Sequence, residues 1–233
     1  MFAPVNTAFS LSFTLAMSHA AVVSSLLDPS GETTRTLARF WGSHLCRGCG
    51  LSISVAGGES VAWREPLIVM ANHQSYLDVP VLYAALPDAF GMLAKQELFR
   101  LPIFAGAMRA LRCIPIDRQS RRQSFVSLRE AAERVRRGNS IVVFPEGTRS
   151  SDERIQELKK GPFYLAEMAG VPIVPVGIRG TGHALAKNGV LVRSSEISVR
   201  IGTPLTQDTK GGGQSGRERL RGAVFSALVE LAG

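Results

Sequence analysis

Six short apolar runs, several of them separated by stretches with helical periodicity, constrain the fold of this 233-residue chain more than any other feature. The runs cover residues 51–55, 67–70, 113–116, 141–144, 173–178 and 197–201. Between several of them lie helical stretches at residues 77–86, 121–137 and 161–168. Strands that alternate with helices pair in parallel, because each helix crosses back over the sheet. We therefore predict an α/β fold with a largely parallel central sheet flanked by helices.

The first segment of the chain lacks charged side chains: from Phe2 to Leu27 it contains no Lys, Arg, Asp or Glu. A helix of that length would extend about 39 Å, against about 30 Å for the hydrocarbon core of a bilayer. Arg35, Arg39 and Arg47 follow it, and the positive-inside bias would keep the rest of the chain in the cytoplasm. A single span, an interfacial helix and an apolar helix covering the core all fit this segment. We expect membrane association at the cytoplasmic face of the cell membrane.

The chain divides into an N-terminal helical segment, one α/β domain and a closing helix. A second helix is predicted at residues 34–49, with one face formed by Leu37, Phe40, Trp41, His44 and Leu45. Together with the first helix it would form a two-helix membrane-docking segment over residues 1–50. The α/β domain is predicted at residues 51–210. Residues 211–233 begin with three glycines and continue as an amphipathic helix packed on the same domain.

The net charge of +8 favours an anionic partner, such as a phosphorylated substrate or an acidic membrane surface. Aromatic residues make up only 7% of the chain, and no basic run is interleaved with them, so nucleic acid is the least favoured anionic partner. The three cysteines, Cys46, Cys49 and Cys113, are too few for a disulfide framework, which indicates a reducing compartment.

A polar turn containing His73 and Asp78 follows the apolar run at residues 67–70. On a continuous helix the two side chains would point about 140° apart, but they can meet on a strand-to-helix turn. One interpretation is structural, because Ser75 and Asp78 fit the S-x-x-D capping box of a following helix. The other is catalytic: Asp78 accepts a hydrogen bond from one imidazole nitrogen of His73, and the other nitrogen acts as a base.

A second polar turn follows residues 141–143 and reads Phe144-Pro145-Glu146-Gly147-Thr148-Arg149-Ser150. Glycine beside threonine and arginine at a strand end can bind an anion through backbone N–H, a hydroxyl and a guanidinium group. The spacing of a nucleotide P-loop is missing, and a surface turn with an exposed ion pair is the alternative. Lys95 and Arg118 also lie beside predicted strands, where a solvated charge is the ordinary interpretation.

Four blocks in this order resemble those of the 1-acylglycerol-3-phosphate acyltransferases, within the glycerolipid acyltransferase superfamily. The first block is the H-x-x-x-x-D pair of His73 and Asp78. The other three are Lys95-Gln96-Glu97-Leu98 through Ile114-Pro115-Ile116-Asp117-Arg118, Phe144-Pro145-Glu146-Gly147-Thr148-Arg149, and Val171-Pro172-Ile173-Val174-Pro175-Val176. The resemblance covers about residues 50–205. The chain departs from the family at Leu185-Ala186-Lys187, where Leu-Pro-Lys is frequent, in the loop beside the expected acceptor site.

The resemblance implies acyl transfer from a thioester of coenzyme A or acyl carrier protein to the free sn-2 hydroxyl of 1-acyl-glycerol-3-phosphate, giving phosphatidic acid. His73 would be the general base and Asp78 would orient it. The glycerol phosphate would be held by Lys95, Arg118, Glu146, Gly147, Thr148 and Arg149. The hydroxyl would attack the thioester directly, so no cofactor, metal or cysteine nucleophile is implied. The expected partners are membrane lipids, lysophosphatidate and the acyl donor.

Three other functions compete with this hypothesis. A metal hydrolase is suggested by Cys46-Arg47-Gly48-Cys49, but the second ligand pair that a zinc site needs is missing. A basic lipid-binding protein without catalysis would fit the charge, but it has no use for a positioned base such as His73. An acyltransferase with another lysophospholipid or a lyso-aminolipid as acceptor would share the chemistry and differ only in the acceptor.

Overall fold

The computed structural model of the chain describes residues 3–88, 90–206 and 213–233, which form helices on both sides of one seven-stranded sheet. The strands are β1 Leu51–Gly57, β2 Ile68–Ala71, β3 Gly91–Lys95, β4 Ile114–Ile116, β5 Ile141–Val143, β6 Ile173–Arg179 and β7 Ser195–Ile201. The helices are α1 Ala3–Leu27, α2 Glu32–Gly48, α3 Asp78–Ala85, α4 Pro102–Ala110, α5 Arg121–Arg136, α6 Gly161–Ala169, α7 Thr181–Ala184 and α8 Gln214–Ala232, with a 3-10 helix at Gln96–Arg100.

The strands lie in the order β1-β7-β6-β2-β5-β3-β4, and every neighbouring pair is parallel except β6 and β7. The largely parallel α/β sheet predicted from the alternation is therefore confirmed. β3 was not among the predicted strands, because only three apolar residues lie between Gly91 and Lys95 and they give little periodic signal. β2 to β6 all run in the same direction, so their carboxyl ends meet at one edge of the sheet.

The sheet is covered on both faces, which explains why its central strands are apolar without interruption. Alternate residues of β2 enter different cores: Val69 and Ala71 pack with the side of α2 and α3, whereas Ile68 and Met70 pack with the side of α5, α6 and α8. Both core layers are built mainly of branched aliphatic residues. This two-sided burial holds the strand ends rigidly at the edge where the polar turns lie.

The N-terminal helix α1 packs along α2 and α4. It buries polar and small residues and exposes large apolar ones, the reverse of a helix in a water-soluble protein. Its buried positions are small or polar: Asn6, Ser18, Ala21 and Ser24. Its exposed positions include large apolar residues: Val5, Leu11, Leu15, Val23 and Leu26. Hydrogen bonds join inward polar groups of α1 to the protein: the Asn6 side-chain NH2 donates to the carbonyl of Cys49, and the hydroxyls of Ser24 and Thr34 bond to each other. The buried Oδ1 of Asn6 has no partner among the described residues. Within the described residues, α1 is the one helix long and apolar enough to cross a membrane, judged by length and composition alone.

The face predicted for the second helix is wrong in part. The buried side of α2 is formed by Thr34, Ala38, Gly42, Leu45 and Cys46, whereas Phe40 is 45% exposed. Small residues face inward because α3 approaches closely: a Cβ on Gly42 would lie 2.6 Å from the Pro80 carbonyl oxygen. The division into residues 1–50, 51–210 and 211–233 stays a prediction, and Gly211 and Gly212 of the predicted linker lie outside the described residues.

We expect the Gly177→Ala substitution to destabilise the fold, because α8 packs against β6 at backbone distance. A Cβ on Gly177 would lie 2.4 Å from the carbonyl carbon of Leu231 and 2.6 Å from the nitrogen of Ala232. Overpacking of this kind costs about 1–3 kcal/mol. Gly222→Ala on the outer side of α8 is the matched control: a Cβ there meets nothing within 4 Å, and alanine favours a helix by about 0.8–1 kcal/mol. Thermal unfolding of both variants is the measurement, and equal midpoints would contradict the close packing of α8.

Candidate active site

The turn between β2 and α3 is anchored at its start by Asn72. The buried Asn72 amide donates to the carbonyl of Ile178 at 2.8 Å and accepts from the N–H of the same residue at 2.7 Å. The side chain thus continues the pairing of β2 with β6 by one step beyond the last backbone pair, Ala71 with Val176. The chain can leave the sheet here without unpaired backbone groups on β6.

Asp78 lies at the first residue of α3, fully buried, and its carboxylate accepts four hydrogen bonds. Oδ2 accepts from His73 Nδ1 at 2.7 Å and from the backbone N–H groups of Gln74 and Ser75 at 2.8 and 2.9 Å. Oδ1 accepts from the Thr181 hydroxyl at 2.5 Å. A buried carboxylate is costly unless it is hydrogen-bonded, and these donors supply that compensation.

His73 is held with one ring nitrogen bonded and the other available. A carboxylate only accepts hydrogen bonds, so Nδ1 carries the proton given to Asp78, and Nε2 keeps its lone pair. The imidazole stacks on Phe144 at 4.0 Å between ring centres, and 13% of the side chain is exposed. The predicted contact of His73 with Asp78 across a strand-to-helix turn is present, in the geometry that a general base requires.

The structural and the catalytic interpretations of Asp78 turn out to be compatible. Asp78 accepts from the N–H of Ser75, which is one half of the predicted capping box. The reciprocal half is absent, because the Ser75 hydroxyl donates to the carbonyl of Leu185 at 2.7 Å and accepts from the N–H of Leu77. The carboxylate therefore holds the turn and orients His73 at the same time.

The turn after β5 fixes the main chain of His73 from both sides. One oxygen of the buried Glu146 accepts from the N–H of His73 at 2.7 Å, and the other accepts from the N–H of Gln156 at 2.7 Å. The N–H of Ser150 donates to the carbonyl of His73 at 2.7 Å. Burial raises the pKa of the Glu146 carboxyl, and the two N–H donors oppose that shift.

These contacts give Glu146 a structural role that the sequence did not predict. Both of its oxygens bond to backbone donors, and a carboxylate would repel a phosphate, so the geometry does not favour phosphate binding by this side chain. Glu146 holds the two polar turns together. Its predicted part in holding the glycerol phosphate stays a prediction, because sequence proximity to Gly147, Thr148 and Arg149 says nothing about the direction in which each side chain points.

The next three residues of this turn are more open. Gly147 has a φ of +72°, in the left-handed region that glycine adopts without strain. Thr148 is exposed, and its hydroxyl has no hydrogen-bond partner among the described residues. Arg149 donates to the carbonyl of Lys187 at 2.7 Å and lies over the ring of Tyr76 at 3.8 Å. The remaining N–H groups of its guanidinium are available to an anion.

Arg118 and Lys95 lie at the ends of the neighbouring strands. Arg118 donates to the carbonyl of Gly147, and burial lowers the pKa of its guanidinium while nearby Glu97 raises it. Lys95 pairs with Glu97 at 3.1 Å in an exposed position. Glu97 thus pairs with Lys95 and acts on Arg118 through its charge, whereas no contact among the described residues joins Arg149 to Lys95 or Arg118. Binding of one phosphate by Lys95, Arg118 and Arg149 stays a prediction.

Several residues at this edge carry no sequence signal of their own. Asn72 ties the start of the turn to β6, Thr181 bonds to the turn from the end of β6, and Tyr76 supports Arg149. Lys159 lies beside Gly147, with its Cγ 3.3 Å from where a Cβ on that glycine would be, and adds an exposed cation near the turn.

The cysteines lie apart from this edge. Cys46 and Cys49 are buried at the end of α2, and burial raises the pKa of their thiols to about 12 and about 11. Burial likewise raises the pKa of Cys113 to about 11. Thiols in this state are poor nucleophiles. Over the described ranges, no three His, Cys, Asp or Glu residues are grouped as metal ligands would be.

The arrangement at the sheet edge thus combines an imidazole oriented by a buried carboxylate, an open loop with Thr148 and Arg149, and cations at adjacent strand ends. A sequence model of the family described as Acyltransferase matches residues 52–179, which include the two polar turns, Lys95 and Arg118.

Similar proteins and structures carry related names. A 1-acyl-sn-glycerol-3-phosphate acyltransferase of Saccharomyces cerevisiae is 34% identical over 188 residues, covering 78% of this chain and 61% of that protein. The chloroplastic 1-acyl-sn-glycerol-3-phosphate acyltransferase LPAT1 of Arabidopsis thaliana is 36% identical over 156 residues, covering 66% of this chain and 43% of that protein. The match to a Brassica napus relative, BAT2, covers 41% of that protein, so the chain spans about half the length of these relatives.

The crystal structure of PlsC from Thermotoga maritima, a 1-acyl-sn-glycerophosphate acyltransferase, superposes with a TM-score of 0.83 at 26% identity. The superposition covers 98% of this chain and 95% of that one. Since the matched family segment spans more than half of the sequence and contains His73 and Asp78, this chain belongs to the acyltransferase family.

Proposed function

We propose that this chain transfers a fatty-acyl group from an acyl thioester to the free sn-2 hydroxyl of 1-acyl-glycerol-3-phosphate, giving phosphatidic acid. The observation that carries the proposal is the His73 imidazole, whose Nδ1 is held by buried Asp78 while Nε2 is free beside an anion-binding turn. The relatives and the structural neighbour are 1-acyl-glycerol-3-phosphate acyltransferases, which supports the same substrate class.

The reaction needs one base and no covalent enzyme intermediate. Nε2 of His73 takes the proton of the acceptor hydroxyl while that oxygen attacks the thioester carbonyl carbon. The tetrahedral intermediate collapses with cleavage of the carbon–sulfur bond, and the leaving thiolate recovers the proton from His73. The products are an ester and a free thiol. Asp78 stabilises the imidazolium that exists between the two proton transfers.

Acceptor binding rests on the cations at the strand ends. Arg149 is pre-positioned by Tyr76 and the Lys187 carbonyl, so it loses little conformational freedom when an anion binds. Arg118 is fixed by its bond to Gly147. A phosphomonoester carries nearly two negative charges and several acceptor oxygens, which match two guanidinium groups and the unpaired hydroxyl of Thr148. The donor is a thioester of coenzyme A or of acyl carrier protein, since both present the same reacting group.

Membrane attachment through α1 is part of the proposal. The outward apolar side chains of α1 suit contact with lipid, while its polar side chains bond to the body of the protein. Contacts from Asn6 near its start to Ser24 near its end keep α1 alongside α2. This favours an interfacial helix over a span that leaves the globular body. The cytoplasmic face is the proposed side, because the acyl donors are cytoplasmic molecules and Arg35, Arg39 and Arg47 follow the helix.

Replacing His73 by Ala should lower turnover by about 10²–10⁴-fold, the usual effect of removing a general base. Asp78→Asn should lower turnover as well, because the imidazole loses its oriented acceptor. The measurement is the formation of phosphatidic acid from lysophosphatidate with either thioester donor. His44→Ala, on an exposed histidine of α2, is the control and should retain activity. A well-folded His73→Ala protein with near wild-type turnover would refute the proposed mechanism.

Arg149→Ala should raise the KM for lysophosphatidate by about 10-fold or more, since a charge-assisted hydrogen bond contributes about 1.5–3 kcal/mol. The donor KM should change much less. Arg149→Lys should restore only part of the affinity, because the planar guanidinium is lost. Arg154→Ala, on an exposed arginine of the following loop, is the control. Equal use of lysophosphatidate and a phosphate-free lysolipid, unchanged by Arg149→Ala, would exclude a phosphate site at this turn.

The double substitution of Leu11 and Leu15 by Asp should move the protein from the membrane fraction to the soluble fraction, because both side chains are more than half exposed on the outer face of α1. A high-salt wash should not release the wild-type protein, since apolar contact is not screened by ions. Val126→Asp is the matched control, because Val126 is 62% exposed on α5 at the opposite side of the sheet. Release of the wild-type protein by salt alone would disprove the helix anchor.

A further inference from the structure

Thr181 reaches the candidate site from the strand next to β2. It follows β6 and begins the short helix α7. Gly180 before it has a φ of +95°, and a Cβ there would lie 2.2 Å from the carbonyl oxygen of Glu196. Only glycine fits this close approach to β7, and the turn that it permits brings Thr181 back over the site. The Thr181 residue is fully buried.

The hydroxyl of Thr181 bonds to the oxygen of Asp78 that faces away from His73. The distance from Thr181 Oγ1 to Asp78 Oδ1 is 2.5 Å, and the side-chain oxygen of Gln74 is a second, longer contact at 3.5 Å. Within the described residues, Thr181 is the only donor to Oδ1, whereas Oδ2 has three donors. The two residues are 103 positions apart in the chain.

We propose that Thr181 is a positioning residue for the acyl transfer, acting on His73 through Asp78; this inference rests on the proposed function. The backbone donors at Oδ2 leave the carboxylate free to tilt about its side-chain torsion. A bond at Oδ1 removes that freedom and fixes the plane in which Oδ2 faces the Nδ1–H of His73. The hydroxyl also shares the negative charge of the carboxylate, which sets how strongly the carboxylate stabilises the imidazolium.

The contacts around Thr181 show that its place beside Asp78 is set by strand β6 of the sheet and not by the His73 turn. Asn72 bonds to Ile178 three residues before Thr181, and the Ser75 hydroxyl bonds to Leu185 four residues after it. The segment from β6 to α7 therefore supports the His73 turn at three points. The bonds of Asn72 and Ser75 join a side chain of the turn to a backbone carbonyl, whereas the bond of Thr181 joins two side chains and ends on Asp78. It lies two residues beyond the segment that the family model matches.

The test compares Thr181→Val with Thr181→Ser in the full-length protein. Valine keeps the shape and removes the donor, whereas serine keeps the donor. Thr181→Val should lower kcat by about 10-fold, the size of a lost hydrogen bond to a charged group. It should leave the KM for lysophosphatidate nearly unchanged, because Thr181 does not belong to the cationic set. Thr181→Ser should retain kcat within about 3-fold.

The pH profile of kcat/KM separates this role from a structural one. Without the Thr181 hydroxyl, no hydrogen bond at Oδ1 draws on the negative charge of Asp78. The carboxylate then stabilises the protonated imidazole of His73 more strongly. The acid limb of the profile, where His73 is protonated and inactive, should then move to higher pH in Thr181→Val and stay in place in Thr181→Ser. A general loss of stability would lower the amount of active protein without moving that limb.

A folded Thr181→Val protein with wild-type kcat and an unmoved acid limb would overturn the inference. Should that variant fail to fold, Thr181→Ala, which introduces no larger side chain, takes its place against Thr181→Ser with the same readings. Failure of the proposed function looks different, because the wild-type protein would then form no phosphatidic acid and His73→Ala would have no activity to lose. Wild-type activity with an effect of His73→Ala but none of the Thr181 variants would reject the positioning role alone.

Discussion

The buried carboxylate of Asp78 is the interaction on which the rest of this edge depends. A charge excluded from water must be met by donors, and the chain supplies them from the imidazole, from two backbone N–H groups of the turn and from the hydroxyl of Thr181. Each donor is thereby fixed relative to the others. The requirement to satisfy one charge orders the turn, starts α3 and presents Nε2 of His73 in a single orientation.

The second constraint is that the His73 turn and the turn after β5 form one unit. Glu146 accepts from the N–H of His73, and Ser150 donates to its carbonyl, so the backbone of His73 is bonded on both sides by a segment more than 70 residues away. Motion of the turn after β5 would therefore move His73. This coupling keeps the imidazole of His73 at a constant distance from the turn at residues 144–150.

The distribution of polarity in the N-terminal helices follows from two different surroundings. α1 faces the protein with small and polar residues, among them Asn6 and Ser24, which hydrogen-bond to Cys49 and Thr34, and it faces outward with leucines and valines. α1 lies with α2 and α4 on one side of the sheet, and its outward face points away from them. The basic helix α5 covers the other side of the sheet. The molecule thus has one side suited to lipid and another suited to water, with the carboxyl edge of the strands between them.

The sequence by itself determined the parallel architecture, the contact of His73 with Asp78 and the ordered family blocks. The periodicity of apolar residues and the spacing of residues a few positions apart can both be read from neighbouring positions in the chain. It could not determine which way Glu146 points, that small residues of α2 face inward, or that Asn72 and Thr181 support the site. The inward face of α2 depends on the close approach of α3. The contacts of Glu146, Asn72 and Thr181 join segments more than 70 residues apart, and they exist only because β6 and β5 lie on either side of β2. Strand order decides which polar side chains meet, and strand order is a property of the packed sheet rather than of any local pattern.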